Sequence, residues 1–355
     1  MRSRVRGVLV GLTVALVTVC VTLVLIEVVI RVFFPREHFA VTVNTWDRVV
    51  GTRHIPGARG FVKCEAYEMD LIINSKGLRD REFPYEKPPG TKRILCLGGS
   101  FTAGYGVDCE QTFAKVLEHL MNSDSDTSAV WEVLNAGIGS TGTAHQLAYF
   151  STEGYKYQPD IVLLCFSQDT DYWDNMRAGL YSIEDGVLVK HDAPYTSARR
   201  VQQVVKYIPF YNTLFARSHL LNLIKSRVAR HHYRDLARRI EESVDGGSVD
   251  AVEQDLTRRL LVALKEAAEA GGGRLVILAV PLPGTCDYYD ETRDLLDYMD
   301  ELGAHFVDVS PALRAGAARG LSINYPGDLH WTADGHRLVG LALYEYLTAS
   351  ESVRR

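Results

Sequence analysis

The chain has 355 residues, 46% of them hydrophobic and 23% charged, with a formal net charge of −5. That is a globular composition with enough length for one large core and appendages. A mildly acidic chain gives no reason to expect a nucleic-acid partner, and the lack of any C-x-x-C or H-E-x-x-H pattern gives none to expect a metal or other cofactor.

Arg2, Arg4 and Arg6 open the chain, and an uninterrupted apolar or weakly polar run follows from Gly7 to Ile26. At about 1.5 Å per residue such a run just crosses a hydrocarbon core of roughly 30 Å. The arginines ahead of it place the N-terminus in the cytoplasm and the rest outside, and Glu27 and Arg31 stand where they can snorkel to the far interface. A cleavable signal peptide is the alternative reading, but its apolar region is shorter, about 7–15 residues, and ends in small residues. Val17-Thr18-Val19-Cys20 also lacks the small residue that a lipoprotein signal places before its cysteine. The expectation is one transmembrane anchor over 1–36, cell-membrane localisation, and an extracytoplasmic, disulfide-permissive remainder. Of six cysteines, Cys20 lies in the anchor, and Cys96 and Cys165 sit in apolar strand patterns as small hydrophobes. Cys64, Cys109 and Cys286 are free to pair, in a combination that spacing does not choose.

Residues 37–91 carry Gly, Pro and short alternating runs such as Tyr67 to Asn74, without helical period; they predict a small β-rich lead-in closed by the turn region Pro84 to Gly90. A domain over 92–350 follows. Arg93–Leu97, Val130–Leu134, Ile161–Phe166, Leu275–Val280 and His305–Val309 read as buried strands. Gln111–Met121, Ala144–Glu153, Tyr288–Leu302 and Gly335–Leu347 read as helices. Short all-apolar strands alternating with helices predict an α/β protein, a three-layer flavodoxin-like open parallel sheet preceded by the transmembrane helix. An insert over about 176–254 is expected to be mostly helical, as in Phe210–Val228, and to sit over or beside the active face. Its basic stretch Lys225–Arg239, like Arg199-Arg200, reads as a solvated helix face.

In an open parallel sheet, reacting groups gather at the C-terminal strand ends. Ser100 follows the first of these strands in Leu97-Gly98-Gly99-Ser100-Phe101, with two glycines allowing a tight turn. Asn135-Ala136-Gly137-Ile138-Gly139-Ser140 ends the second, Gln168-Asp169-Thr170-Asp171 the third, and Asp328-Leu329-His330-Trp331 precedes the last helix. A serine hydroxyl needs a base within reach and a group to orient that base. Asp328 and His330, two positions apart, can join carboxylate to Nδ1–H and leave Nε2 for Ser100, the triad logic in another chain order.

These residues resemble the SGNH, or GDSL-type, hydrolase superfamily. Gly98-Gly99-Ser100-Phe101 is similar to its first block, with Gly99 where the GDSL name has Asp. The Asp328-x-His330 spacing looks like the membrane-anchored branch containing alginate-type O-acetyltransferases, and Ile73-Asn74-Ser75-Lys76-Gly77-Leu78-Arg79-Asp80 looks like a lead-in of anchored bacterial members. The resemblance spans roughly residues 70–347. It implies Ser100, Asp328 and His330 as catalytic residues and an oxyanion hole from the second and third blocks. Two departures stand out: Ser140 occupies a position usually held by Gly, and the third block lacks its usual Asn. Gapless spacing from Asp174-Asn175 puts Thr170 in that place; matching Gln168-Asp169 to Asn-Asp puts Gln168 there.

Taken alone, Gly98-Gly99-Ser100 reads better as a strand-to-helix turn with Ser as helix N-cap; Asp328 and His330 at the matching place favour the catalytic reading. No Lys follows to make a Walker loop, and Thr102 stands where an α/β-hydrolase elbow needs Gly. His336 and His145 read as structural helix residues, His231-His232 as solvated, and Trp331 as a core aromatic or part of an acyl pocket. The function expected is a serine esterase or O-acyltransferase working through an acyl-serine on short acyl esters, acetyl above all, of cell-envelope or secreted glycans. The alternative is a catalytically lapsed glycan-binding or scaffolding protein.

Overall fold

The computed structural model describes residues 2–33, 39–41, 43–124, 129–195, 218–221, 223–224 and 249–349. Helix α1 (Arg2–Phe33) contains a span, Leu9–Phe33, with mean hydropathy 2.8 and almost every residue exposed, long and apolar enough to cross a membrane. Two small antiparallel sheets follow, built from β1 (Phe39–Val41), β2 (Asn44–Asp47), β3 (Gly51–His54), β4 (Arg59–Lys63) and β5 (Glu68–Ile72). In β5 Met69 and Leu71 alternate with exposed neighbours and pack with Val43 and Ile73 into a small core of their own.

The rest is built on β6 (Thr91–Gly98), α2 (Ser100–Ala103), α3 (Phe113–Ser123), β7 (Val130–Asn135), α4 (Thr143–Thr152), β8 (Ile161–Ser167) and α5 (Asp171–Ala178). A hairpin of β9 (Tyr181–Glu184) and β10 (Val187–Lys190) comes next, then α6 (Ala251–Ala270), β11 (Arg274–Val280), α7 (Asp290–Glu301), β12 (His305–Val307), α8 (Ser310–Ala318) and α9 (Ala333–Ala349). The five strands of the central sheet are parallel and ordered β7-β6-β8-β11-β12, with Ile94 opposite Val133, Cys96 opposite Leu163 and Leu164 opposite Ile277. In chain order this is 2-1-3-4-5, the flavodoxin-like arrangement, whose switch point lies between β6 and β8.

Every residue of β8 is buried, because helices cover both faces. Alternate residues go to opposite sides. Leu95, Leu97, Val162 and Leu164 join a core with Leu147 of α4, Leu260 and Leu264 of α6 and Leu295 of α7. Ile94, Cys96, Leu163 and Cys165 join another with Phe113 and Leu117 of α3, Leu313 of α8 and Leu343 of α9. This is the expected three-layer α/β fold.

The insert departs from expectation. Its first part is the β9–β10 hairpin, turned at Asp185-Gly186 with φ of 49° and 77°. Asp-Gly is the residue pair that such a two-residue turn favours, since both positions need positive φ. Helix α6 begins at Ala251, close to where the insert is expected to end. Of the helix expected over 210–228 only 218–221 and 223–224 are described; Arg199-Arg200, Lys225–Arg239 and His231-His232 lie outside the described residues.

Candidate active site

The nucleophile turn depends on glycines at two points of close approach. A Cβ on Gly98 would lie 2.2 Å from Thr102 Oγ1 and 2.9 Å from the Cys165 carbonyl of β8. A Cβ on Gly137 would lie 2.2 Å from the Ala103 amide of α2. The glycines thus let backbone meet backbone, bringing the ends of β6, β7 and β8 together. Gly99 is the N-cap of α2, and Ser100 is its first residue. The Ser100 hydroxyl therefore makes no capping bond.

It faces His330 instead, at 2.7 Å from Nε2. Nδ1 of the same ring lies 2.5 Å from Asp328 Oδ1, which also accepts the His330 backbone N–H at 2.8 Å. With Nδ1–H donating to the carboxylate, Nε2 keeps its lone pair for the serine proton. The loop carrying the pair is closed on itself: Tyr325 N–H donates to the His330 carbonyl, Asp328 N–H to that of Tyr325, and Asn324 bridges Trp331. Gly327, at φ 72°, makes the turn between them. The imidazole is walled by Phe101, Tyr105 and Tyr67, with ring centroids at 5.1, 5.5 and 6.2 Å.

These groups open on a cleft of about 530 Å³ at the switch point, lined also by Ser140, Thr141, Ser167, Asp169, Thr170 and Trp173. Ser140 sits at φ 62°, a left-handed conformation that favours glycine and costs a serine roughly 1 kcal/mol or more. The backbone N–H groups of Ser100 and Ser140 donate to no acceptor among the described residues. Thr170 is exposed at the N-cap of α5, and its side chain makes no capping bond.

Gln168 departs from expectation. Its amide is buried, donating through Nε2 to the Asp287 carbonyl at 3.1 Å and accepting the Tyr289 N–H at 2.8 Å. Both amide atoms are thus committed to the loop ahead of α7, so of the two third-block candidates only Thr170 lines the cleft. Thr170→Val keeps the shape and removes the hydroxyl; it is expected to lower kcat by about 10²-fold with little change in KM. Steady-state ester hydrolysis checks this, and unchanged kinetics would leave the oxyanion to backbone donors alone.

Trp331 is a core residue, not a pocket wall: it is 1% exposed, packed on Phe101 at 4.8 Å and His336 at 5.6 Å. His145 is buried in α4 against Gly51, away from Ser100's cleft. All six cysteines are free thiols, Cys96 and Cys165 buried among the apolar side chains of the sheet. Among the described residues no group of His, Cys, Asp and Glu has the arrangement of a metal site. Trp173 and Arg177 also reach the cleft, four residues apart on α5, with Arg177 paired to Asp174 at 3.0 Å. That i,i+4 spacing is the sequence signal for a shared helix face.

His336 is fully buried, and its Nδ1 accepts the Phe113 N–H at 3.2 Å. Burial lowers its pKa to about 3. A histidine held neutral in the folded state costs nothing above its ordinary pKa of 6.5. As pH falls below that value the unfolded chain takes up the proton first, and stability drops by about 1.4 kcal/mol per pH unit. His336→Asn keeps an acceptor without the titration. The stability gap between wild type and variant, from denaturant melts, should therefore narrow by about 1.6 kcal/mol between pH 6.5 and pH 5; a constant gap would contradict the buried neutral state.

Ser100, His330 and Asp328 thus stand together at the switch point of an open parallel α/β sheet. No protein-family model matches the chain, and no curated protein matches it in sequence. Among solved structures it is similar to a member of the lipolytic G-D-S-L family from Veillonella parvula (13% identity, 73% of this chain and 100% of that one, TM-score 0.39). It is also similar to a catalytic mutant of an acetylxylan esterase from Geobacillus stearothermophilus (12% identity, 72% and 93%, TM-score 0.40). A third is a two-domain esterase active on acetylated mannans (15% identity, 74% and 50%, TM-score 0.41).

Proposed function

We propose that this chain is a serine ester hydrolase of the SGNH type, or an O-acyltransferase with the same chemistry, acting on short acyl esters of glycans outside the membrane in which α1 is anchored. The observation that carries the reading is the continuous relay from Asp328 Oδ1 through His330 to Ser100 Oγ, at 2.5 and 2.7 Å. Ser100 attacks the ester carbonyl while His330 takes its proton, and Asp328 steadies the imidazolium that forms. The N–H groups of Ser100 and Ser140, with the Thr170 hydroxyl, receive the oxyanion. His330 then returns the proton to the leaving alcohol. Water or a sugar hydroxyl, deprotonated by the same histidine, releases the acyl group.

The cleft mixes Ser, Thr, Asp and Arg side chains with Phe101, Cys165, Trp173 and Leu329, a lining that can take an acyl group on one side and a hydroxyl-bearing alcohol on the other. The test is labelling by a fluorophosphonate, with the modified peptide mapped, together with acetate release from an acetylated polysaccharide. Labelling at Ser100 and acetate release are expected. Neither would occur in a lapsed glycan-binding protein, and that outcome would overturn the reading. Adding an unacetylated acceptor distinguishes transfer, seen as new O-acetyl groups, from hydrolysis.

A further inference from the structure

We propose that Arg79 and Asp80, outside the sheet and just ahead of it, are positioning residues of the active site: Arg79 caps the helix that carries Ser100, and Asp80 anchors the turn that carries Ser140. The inference rests on Ser100 being the nucleophile.

Helix α2 is a single turn, and its last carbonyls have no partners further along a helix. The chain supplies them from outside. The Ser100 carbonyl accepts from the N–H groups of Gly104 and Tyr105, and that of Phe101 from Gly104. The Thr102 carbonyl accepts from Asn135 Nδ2 at 2.7 Å. Those of Ala103 and Gly104 both accept from Arg79 Nη1, at 2.5 and 2.8 Å. The other arm of the guanidinium, Nη2, reaches the Val107 carbonyl at 2.8 Å and the Asp70 carbonyl at 3.1 Å. One side chain thus holds the chain from Ala103 to Val107 in register with Ser100.

Arg79 is only 2% exposed, and every one of these bonds is to a main-chain carbonyl. No carboxylate pairs with it among the described ion pairs. Burying a guanidinium without a counter-ion is costly, and a packing role alone would be met by Leu or Met. What compensates here is the set of carbonyl dipoles at the C-terminal end of α2, where a cation is favoured. The fit leaves no slack: a Cβ on Gly104 would meet Thr112 Cγ2 at 2.3 Å and Arg79 Nη1 at 3.0 Å.

Asp80 does the same for the second turn. Its buried carboxylate pairs with Lys115 at 2.8 Å and accepts the Asn135 N–H at 2.9 Å. Asn135 in turn donates to Thr102 and accepts from the Gly137 N–H at 3.0 Å. Adjacent residues in one segment therefore fix both turns that converge on the substrate carbonyl. Geometry at that point matters steeply, since a misplacement of about 1 Å costs on the order of 10²-fold in rate.

The test compares wild type, Arg79→Lys, Arg79→Ala and Asp80→Asn in the full-length chain, with Ser100→Ala as the blank. Folding is checked by near-ultraviolet circular dichroism and melting temperature. In folded Arg79→Ala, kcat should fall by about 10²-fold with KM changed less than about threefold, and fluorophosphonate labelling should slow in parallel. Arg79→Lys should be intermediate. Millimolar guanidinium should restore labelling of Arg79→Ala where the same concentration of urea does not, a rescue that general destabilisation would not show. Should the Arg79 variants fail to fold, Asp80→Asn, nearly isosteric, decides; it should show a kcat lowered by about tenfold at unchanged KM. Wild-type kinetics in folded variants, with Ser100 still labelled, would overturn this inference and leave the nucleophile standing. Absence of labelling at Ser100 in the wild type would remove the reading on which it rests.

Discussion

Ser100→Ala is expected to lower kcat for a short-chain p-nitrophenyl ester by about 10⁶-fold, to the level set by the remaining site. The size follows from what the hydroxyl does: without it no acyl-enzyme forms, and His330 has only a poorly placed water to activate. Structure should change little. Gly99, not Ser100, is the N-cap of α2, and the hydroxyl's partner is a partly exposed histidine rather than an orphan backbone group. A helix-capping serine replaced by alanine would instead show about 1 kcal/mol of lost stability and no specific loss of rate. The two roles thus predict opposite patterns, activity lost with melting temperature kept, or the reverse. Combining Ser100→Ala with His330→Ala should add almost nothing, because residues that act as one unit are not additive. Wild-type turnover in a purified Ser100→Ala protein would end the assignment.

What could be read from the sequence follows from which contacts are local. The strands of the central sheet were legible because a parallel strand covered on both faces is a continuous apolar run, as Ile161 to Phe166 shows. Ser100, Asp328 and His330 were legible as candidates because they stand at strand ends and just ahead of the last helix, where the topology gathers loops. The third-block donor was ambiguous for a physical reason. Gln168 differs from Thr170 only in where its side chain goes, and that is set by Asp287 and Tyr289, more than a hundred residues away. Arg79 was visible only as part of a pattern, since its partners are carbonyls that any residue could supply. The β9–β10 hairpin had its Asp185-Gly186 signal, but the long insert around it reads as helix and outweighed a two-residue cue.

Asp328→Asn should lower kcat by about 10⁴-fold while changing KM and stability little. The carboxylate accepts two N–H groups of His330, one from the backbone and one from Nδ1. Both bonds end on one oxygen, Oδ1, and an asparagine that keeps its oxygen there still lacks the charge that steadies the imidazolium. One that turns its NH₂ to that place faces Nδ1 with a donor and favours the tautomer with the proton on Nε2. The serine proton then has nowhere to go, although every heavy atom is in place. The loop itself should persist, because the Tyr325–His330 bonds and the Asn324–Trp331 bridge are main-chain contacts and Asp328 is partly exposed. Asp328→Ala is expected to fall by a similar factor, since the imidazolium formed in the transition state loses its counter-charge. Fluorophosphonate labelling separates tautomer from geometry: it should slow in both variants, and raising the pH should not restore it. A loss of less than about tenfold in Asp328→Asn would mean that the loop backbone, not the carboxylate, orients His330.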